Sequence, residues 1–382
     1  MAGRFANPVK IATAKLLLLF AIFFLIACGL GYPVLNRFDP RQTPGLSDVK
    51  IYAAMVTGEV GPEAGHVRFR VLVPWVAKPF YRFARERSAS WDPVMFGLLM
   101  ADSLFVAGTA VLIVVLGSRV LGSRQLGNRQ LGNPAAGLVG SLLYLVNFAV
   151  PNLRLAGLVD AGEGFFLLAL GWSLSELELW ALPVIAVFGA LAKESFLPFS
   201  VVLTFAWWLV IRRDSRRDRG KDQALPDALP DLAWILGSWF AGLIAIVGLQ
   251  WSVSGSFESP LRFGLDLHRG HDYAGHFIQS LYDRNLWYVF VWLLPTAIPS
   301  LKRLPKSWLV PVGATSVLAF VLDAYYGGAP GTVGRALFSV AGPVLSLSSA
   351  LFLLRITGFV SDVVPGFVSD DGGAKASTTR GM

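Results

Sequence analysis

The sequence predicts an all-α integral membrane protein of about ten transmembrane helices. Of its 382 residues, 54% are apolar and only 15% are charged, which is too little charge to cover a soluble domain of this size. A bilayer core of about 30 Å takes roughly 20 apolar residues per helix, and shorter helices are tolerated when they are tilted or partly buried. The basic residues flank the apolar runs, so the net charge of +8 indicates membrane topology and no nucleic-acid partner.

The first predicted span, residues 11–31, contains an apolar run from Leu16 to Leu30 that follows Arg4, Lys10 and Lys15. It is longer than the apolar stretch of a cleaved signal, so we expect a retained span, with a lipoprotein-type cleavage before Cys28 as the alternative. The nine further runs are residues 93–116, 134–150, 164–174, 182–192, 196–211, 232–251, 286–298, 308–322 and 336–354. Because Cys28 is the single cysteine, no internal disulfide framework is expected.

Charges between the runs predict a cytoplasmic N-terminus. The arginine-rich and lysine-rich loops at 117–133 and 212–231 then obey the positive-inside rule, and two large loops, 32–92 and 252–285, face outward. Residues 1–355 form one membrane domain and 356–382 a flexible tail. A short chain with one cysteine favours a prokaryotic cytoplasmic membrane.

The first outer loop contains the densest polar motifs. Asp48 and Tyr52 are followed by Gly58, then by an aromatic-arginine step at Phe69-Arg70 with a proline at Pro74. From 68 to 87 the chain is both aromatic and basic, which suits a helix lying in the headgroup layer.

This order of motifs resembles the first outer loop of the GT-C membrane glycosyltransferases. It looks closest to the mannosyltransferases that build glycosylphosphatidylinositol anchors and to bacterial enzymes that use polyprenyl-phosphate mannose. The later landmarks of the resemblance are Asp102, Leu145-Val146-Asn147, Pro151, Arg154, Asp160, Ala192-Lys193-Glu194-Ser195, Gly334-Arg335 and Pro343. Two departures leave the donor sugar and the acceptor open: Val49 follows Asp48 where many members have a second acid, and the Phe69-Arg70 step lacks the family's second tyrosine.

The resemblance implies a GT-C-like fold and transfer of a hexose such as mannose from a polyprenyl-phosphate donor. The acceptor would be a hydroxyl of a glycan, lipid or protein at the outer face. Asp48 would be the general base of an inverting displacement. Ser47-Asp48 also suits the start of a helix, so a capping role stays open. Asp39, which precedes a proline and suits a turn, is the second candidate base.

The leaving phosphate needs a cation where its charge develops. Arg335 can supply paired N–H donors, or it can be an interfacial anchor whose head reaches water. Arg68 and Arg70 are similar candidates, and the same loop supplies Tyr52 and His66 as substrate-binding residues.

Charges within the apolar runs are further candidates. Lys193 and Glu194 interrupt one run, and substrate contact and a structural link both remain open for them. Asp102 lies ten residues into its run, so water or a partner has to reach it. Asp160 and Glu163 are expected to favour a helix N-terminus through its dipole.

The second outer loop holds three of the four histidines, among them His271. They are consistent with substrate contact, with a divalent cation, or with an ordinary hydrated loop, and no rigid metal-ligand spacing selects among these. The sequence contains no Gly-Lys-Ser/Thr phosphate loop and no His-Glu-x-x-His pair, so an enzyme here would take an activated substrate from the membrane. A multispanning transporter or lipid flippase is the main alternative, and an inactive relative of the transferases is the third.

Overall fold

The computed structural model describes residues 8–37, 47–87, 90–120, 134–218, 228–255, 272–325 and 332–357. Within these ranges the fold is built of helices, with no strand. The α-helices are α1 (Pro8–Arg37), α2 (Ser47–Thr57), α3 (Leu72–Arg87), α4 (Pro93–Val120), α5 (Pro134–Leu145), α6 (Asp160–Glu176), α7 (Leu182–Ala192), α8 (Phe196–Asp218), α9 (Ala228–Ser254), α10 (Tyr273–Leu281), α11 (Arg284–Phe290), α12 (Leu293–Leu301), α13 (Lys306–Tyr325), α14 (Thr332–Val340) and α15 (Gly342–Ile356). Short 3-10 helices at Pro62–Phe69 and Leu179–Ala181 and a π-helical turn at Val150–Arg154 join them.

Among the described residues, five helices are long and apolar enough to cross a membrane, and the prediction of an all-α membrane protein is confirmed at this level. They are α1, α4, α8, α9 and α13. Helices α14 and α15 qualify together as a sixth span, bent by 63°. Pro343 lies in the first turn of α15, where its missing N–H weakens helical continuity across the bend. A total of about ten spans remains a prediction, because the apolar helices at Pro134–Leu145 and Leu179–Ala192 are shorter.

The predicted polar loops contain helices, of which the sequence indicated one over 68–87 and a helix start at Ser47-Asp48. The outward loop 32–92 contains α2 and α3, and α10 lies within the loop 252–285. On the other side of the bundle, α8 continues to Asp218, beyond the apolar run that ends at 211. Arginine is a good helix former, so a helix that has left the apolar layer can continue through such residues. Asp39, His271, residues 121–133 of the predicted loop 117–133 and most of the predicted tail lie outside the described residues.

Helix packing brings the first outer loop onto the bundle. Helix α3 packs along α4, which also contacts α1 and α5, while α7 packs on α9 and α15 packs on α5 and α12. A Cβ atom at Gly117 would lie 2.6 Å from the Cα atom of Gly137, so the backbones of α4 and α5 touch. Small residues allow this closeness in membrane bundles, where dispersion contacts replace hydrophobic driving force.

Candidate functional site

Two clusters of polar side chains meet at the turn between α7 and α8. The backbone of Lys193 is extended (φ −162°, ψ 138°), which ends α7 at Ala192. Lys193 and the next residue, Glu194, then enter different clusters. The outer-loop cluster consists of Asp48, Tyr52, His66, Arg70 and Glu194. The core cluster consists of Arg154, Asp160, Glu163, Lys193, Ser195, Arg335 and Ser339.

Arg70 is the hub of the outer-loop cluster. It follows the 3-10 helix Pro62–Phe69, and its side chain is only 10% exposed. Its Nε donates to Glu194 Oε2 at 2.7 Å and its Nη2 donates to Glu194 Oε1, so the pair is bidentate. Nη1 donates to Tyr52 Oη at 2.8 Å and lies 3.4 Å from Asp48 Oδ2. One guanidinium therefore joins α2, the 3-10 helix and the α7–α8 turn.

The electrostatics of this cluster keep the Arg70–Glu194 pair charged. Burial by itself would raise the pKa of the Glu194 carboxyl, but Arg70 outweighs it and holds that pKa at about 2. Burial would lower the pKa of the Arg70 guanidinium, and Glu194 and Tyr52 instead hold it well above its usual value. Burial raises the pKa of the Tyr52 phenol, so it stays protonated at neutral pH. Burial lowers the pKa of His66, although Glu194 Oε1 lies 3.7 Å from its Nε2 and opposes the shift.

Asp48 lies in the first turn of α2, and its side chain is 30% exposed. A carboxylate there is favoured by the helix dipole, so the predicted structural role at a helix start is compatible with its position. The same carboxylate also contacts Arg70. Asp48 is thus a carboxylate that water can reach and that contacts a buried arginine. Its two predicted roles, general base and helix cap, both remain open.

The core cluster is centred on Lys193. Its Nζ lies 2.7 Å from Asp160 Oδ1 and 3.2 Å from Glu163 Oε2. These two carboxylates are 2% and 0% exposed. Ser195 donates to the other oxygen of Glu163, and Arg335 Nη1 lies 3.5 Å from Asp160 Oδ2. The prediction that the two acids serve only the helix dipole is therefore incomplete, because both are buried ion-pair partners of Lys193.

Arg154 ties the start of α6 to α14. It is 1% exposed and lies at the end of the π-helical turn. Its Nη1 donates to the backbone oxygen of Asp160, and its Nη2 donates to Arg335 O at 3.1 Å and to Ser339 Oγ at 2.7 Å. Ser339 Oγ in turn donates to Glu163 Oε2 at 3.2 Å. The cluster is therefore a branched network across three helices.

Asp102 lies in α4, next to this network. The packing of α1 on α4 places it near the end of the bundle that the sequence predicts to face outward. A Cβ atom at Gly31, close to the end of the first apolar span, would meet Leu99 and Leu155 side-chain atoms. Asp102 follows Leu99 by three positions, which is about 4.5 Å along a helix. Its carboxylate is 0% exposed, has no hydrogen bond of normal geometry within the described ranges, and interacts with the charges of Asp160 and Arg154.

Seven sequence-predicted site residues come together in this way: Asp48, Tyr52, His66, Arg70, Lys193, Glu194 and Arg335. Arg68 does not join them in the described part of the chain, because its guanidinium lies over the Phe69 ring, 4.9 Å from the centroid. Asp39 and His271 lie outside the described residues. Among the residues that the structure describes, no three His, Cys, Asp or Glu side chains are placed so that they could hold one metal ion.

Sequence reasoning expected Glu163 only to favour a helix N-terminus, named Ser195 only within the resemblance, and gave Ser339 no role. Glu163 had a signal, since an acid at the edge of an apolar run needs a partner, and Lys193 is the lysine that interrupts another run. The two serines had none, because a serine in an apolar helix commonly bonds to its own backbone.

The fold and the site together define a helical membrane protein in which the segment 47–70 is held to the bundle by the Arg70–Glu194 ion pair. Comparisons with protein-family models, with curated proteins and with solved structures find no match for this chain.

Proposed function

We propose that this protein is a membrane glycosyltransferase that moves a hexose from a polyprenyl-phosphate donor to an acceptor hydroxyl at the outer face of the membrane. The observation that carries the proposal is Asp48. It is a carboxylate with a 30% exposed side chain, and it contacts the arginine that joins the outer loop to the charged turn of the bundle.

The proposed chemistry is an inverting displacement. The acceptor oxygen bonds to the anomeric carbon, the bond from that carbon to the phosphate oxygen breaks, and the hydroxyl proton passes to Asp48. Polyprenyl phosphate leaves with the bonding electron pair. Glu194 is a poorer base because Arg70 keeps its pKa at about 2, and Asp160 and Glu163 are 2% and 0% exposed.

Arg335 and Lys193 are the cations proposed to stabilise the leaving phosphate. Their side chains are 17% and 13% exposed, so each retains some access to the site. Arg335 makes one 3.5 Å contact with Asp160, which leaves N–H groups able to bind phosphate oxygens. Mannose is the proposed sugar by resemblance.

The proposed setting is a prokaryotic cytoplasmic membrane crossed about ten times, with the N-terminus inside. The exposed Lys302 and Lys306 flank the connection between α12 and α13, which supports a cytoplasmic location for this end of the bundle. The acidic and basic site residues then lie toward the opposite, outer end.

The test uses membranes that contain the full-length protein and polyprenyl-phosphate mannose labelled in the sugar. Wild type should transfer label to acceptors, and Asp48→Asn and Asp48→Ala should lose at least about 100-fold of that rate. Glu59→Gln is the matched control, since Glu59 is an exposed acid on the same outer segment. Full activity in both Asp48 variants would remove Asp48 as the base, and no transfer by wild type with any polyprenyl-phosphate hexose would refute the transferase.

A transporter or lipid flippase is the second candidate, and the charged break at Lys193 between the short helix α7 and α8 favours it. Transporters place charged groups at such helix breaks, as Lys193 and Glu194 are placed here. In the same membranes a flippase would move labelled lipid across the bilayer with the sugar–phosphate bond intact. An inactive relative would do neither.

A further inference from the structure

Helix α3 presents a basic and aromatic face that the described residues do not cover. Its buried residues are Leu72, Val73, Pro74, Ala77 and Ala84. The opposite side exposes Trp75 at 48% and Phe83 at 56%, together with Arg82 and Arg85. Neither of these two arginines makes an ion pair with another described residue.

The position of α3 along α4 sets its level relative to the first membrane span. A Cβ atom at Gly97 would lie 2.9 Å from Ala77 O and 3.1 Å from the Tyr81 Cβ, so the two helices are in backbone contact there. Gly97 precedes Leu99, the residue against which Gly31 packs near the end of the first span. Helix α3 therefore passes the level at which the hydrocarbon layer is expected to end.

The charges on α3 match the phosphates found at that level. Helix α3 contains one acid, Glu86, and four basic residues: Lys78, Arg82, Arg85 and Arg87. Glu86 lies 3.9 Å from Arg87, whose guanidinium also lies over the Phe83 ring at 4.4 Å from the centroid. Arg82 and Arg85 are the exposed arginines of α3 that make no ion pair with a described residue, so their N–H groups can bind phosphate oxygens. Exposed tryptophan and phenylalanine beside arginine are typical of helices that lie in the headgroup layer.

We propose that the exposed face of α3 binds the phosphates of anionic phospholipids in the outer leaflet, with Arg82 and Arg85 as the donors and Trp75 and Phe83 as apolar anchors. The ligand is a lipid headgroup and not free phosphate, because the exposed aromatic side chains need an apolar environment beside the charges. This binding does not depend on the proposed transferase activity. Anionic lipid bound to α3 would fix the position of this helix, which begins two residues after Arg70.

The test measures lipid retention by native mass spectrometry. Full-length protein in detergent is mixed with equal amounts of phosphatidylglycerol and phosphatidylcholine. Wild type should retain phosphatidylglycerol preferentially, and the double variant Arg82→Gln/Arg85→Gln should lose that preference by about fivefold or more. The matched control is Lys302→Gln/Lys306→Gln, which removes two exposed positive charges at the far end of the bundle and should retain the wild-type preference.

Other outcomes decide against the proposal. Equal retention in wild type and the α3 variant would overturn it, and so would an equal loss in the control variant. Displacement of the lipid by excess inorganic phosphate would reassign the site to the free anion. Unchanged thermal-unfolding midpoints in phosphatidylcholine alone would show that the α3 variant is folded. If it unfolds there, the single variants Arg82→Gln and Arg85→Gln replace it, and each should lose part of the preference.

Discussion

Arg70 and Glu194 are separated by 124 positions in the chain and form a bidentate ion pair. The pair joins the end of the 3-10 helix Pro62–Phe69 to the turn after α7. Through Arg70 the pair links Asp48 and Tyr52 to the turn after α7, in addition to the packing of α2 on α4. The first prediction concerns its contribution to stability.

Arg70→Met should lower the free energy of unfolding by about 3 kcal/mol, because it leaves the Glu194 carboxylate desolvated without its partner. The double variant Arg70→Met/Glu194→Met should recover much of the loss, since no unpaired charge remains. Thermal unfolding in detergent of the two single variants and the double variant forms a double-mutant cycle. Additive effects of the two changes would contradict the pairing.

The second prediction is a pH dependence from Glu194. Its pKa is about 2 in the folded protein, against an ordinary value of 4.5, so the unfolded state binds more protons between these values. The stabilisation is therefore fully present above the ordinary value and is lost as pH falls through the folded pKa. The thermal midpoint of wild type should fall across this acidic window, and Glu194→Gln should fall less steeply. Glu59→Gln, which alters an exposed acid, should keep the wild-type slope.

The third prediction concerns Lys193. Lys193→Met removes the ammonium group from between Asp160 and Glu163 and should cost about 3 kcal/mol of folding stability, because two buried carboxylates then lose their shared cation. Lys302→Met, a change of an exposed lysine, should cost less than about 0.5 kcal/mol. Similar unfolding midpoints for the two variants would show that the Lys193 ion pairs are not formed in solution.

The fourth prediction compares two buried serines on neighbouring helices. Ser339 accepts from Arg154 and donates to Glu163, so Ser339→Ala should destabilise the protein by about 1–3 kcal/mol. Ser346 is equally buried, but its hydroxyl has no hydrogen-bond partner in the described part of the chain. Ser346→Ala should therefore leave the unfolding midpoint unchanged or raise it. The reverse order of the two midpoints would rule out the described Ser339 bonds.

The sequence by itself determined the class of protein and much of the membership of the site. Composition and apolar runs suffice for a helical membrane protein, because lipid exposure demands apolar surface along whole helices. Lys193 and Glu194 were identifiable because charged groups within apolar runs are costly and need partners, whereas Asp48 and Arg70 were identified by the motif order of the first outer loop. The short runs such as 182–192 could not be counted as spans in the same way, since length alone does not say whether a helix crosses or ends inside the bundle.

Only the tertiary structure decided which charges pair. Lys193 and Glu194 are adjacent in the chain, yet the extended backbone at Lys193 lets one reach Asp160 and Glu163 while the other reaches Arg70. Local periodicity describes the face on which a side chain lies within its own helix, and it contains no information on which distant helix packs against that face. The partners of these two residues follow from packing, because the 3-10 helix Pro62–Phe69, α6 and the α7–α8 turn meet only in the folded protein.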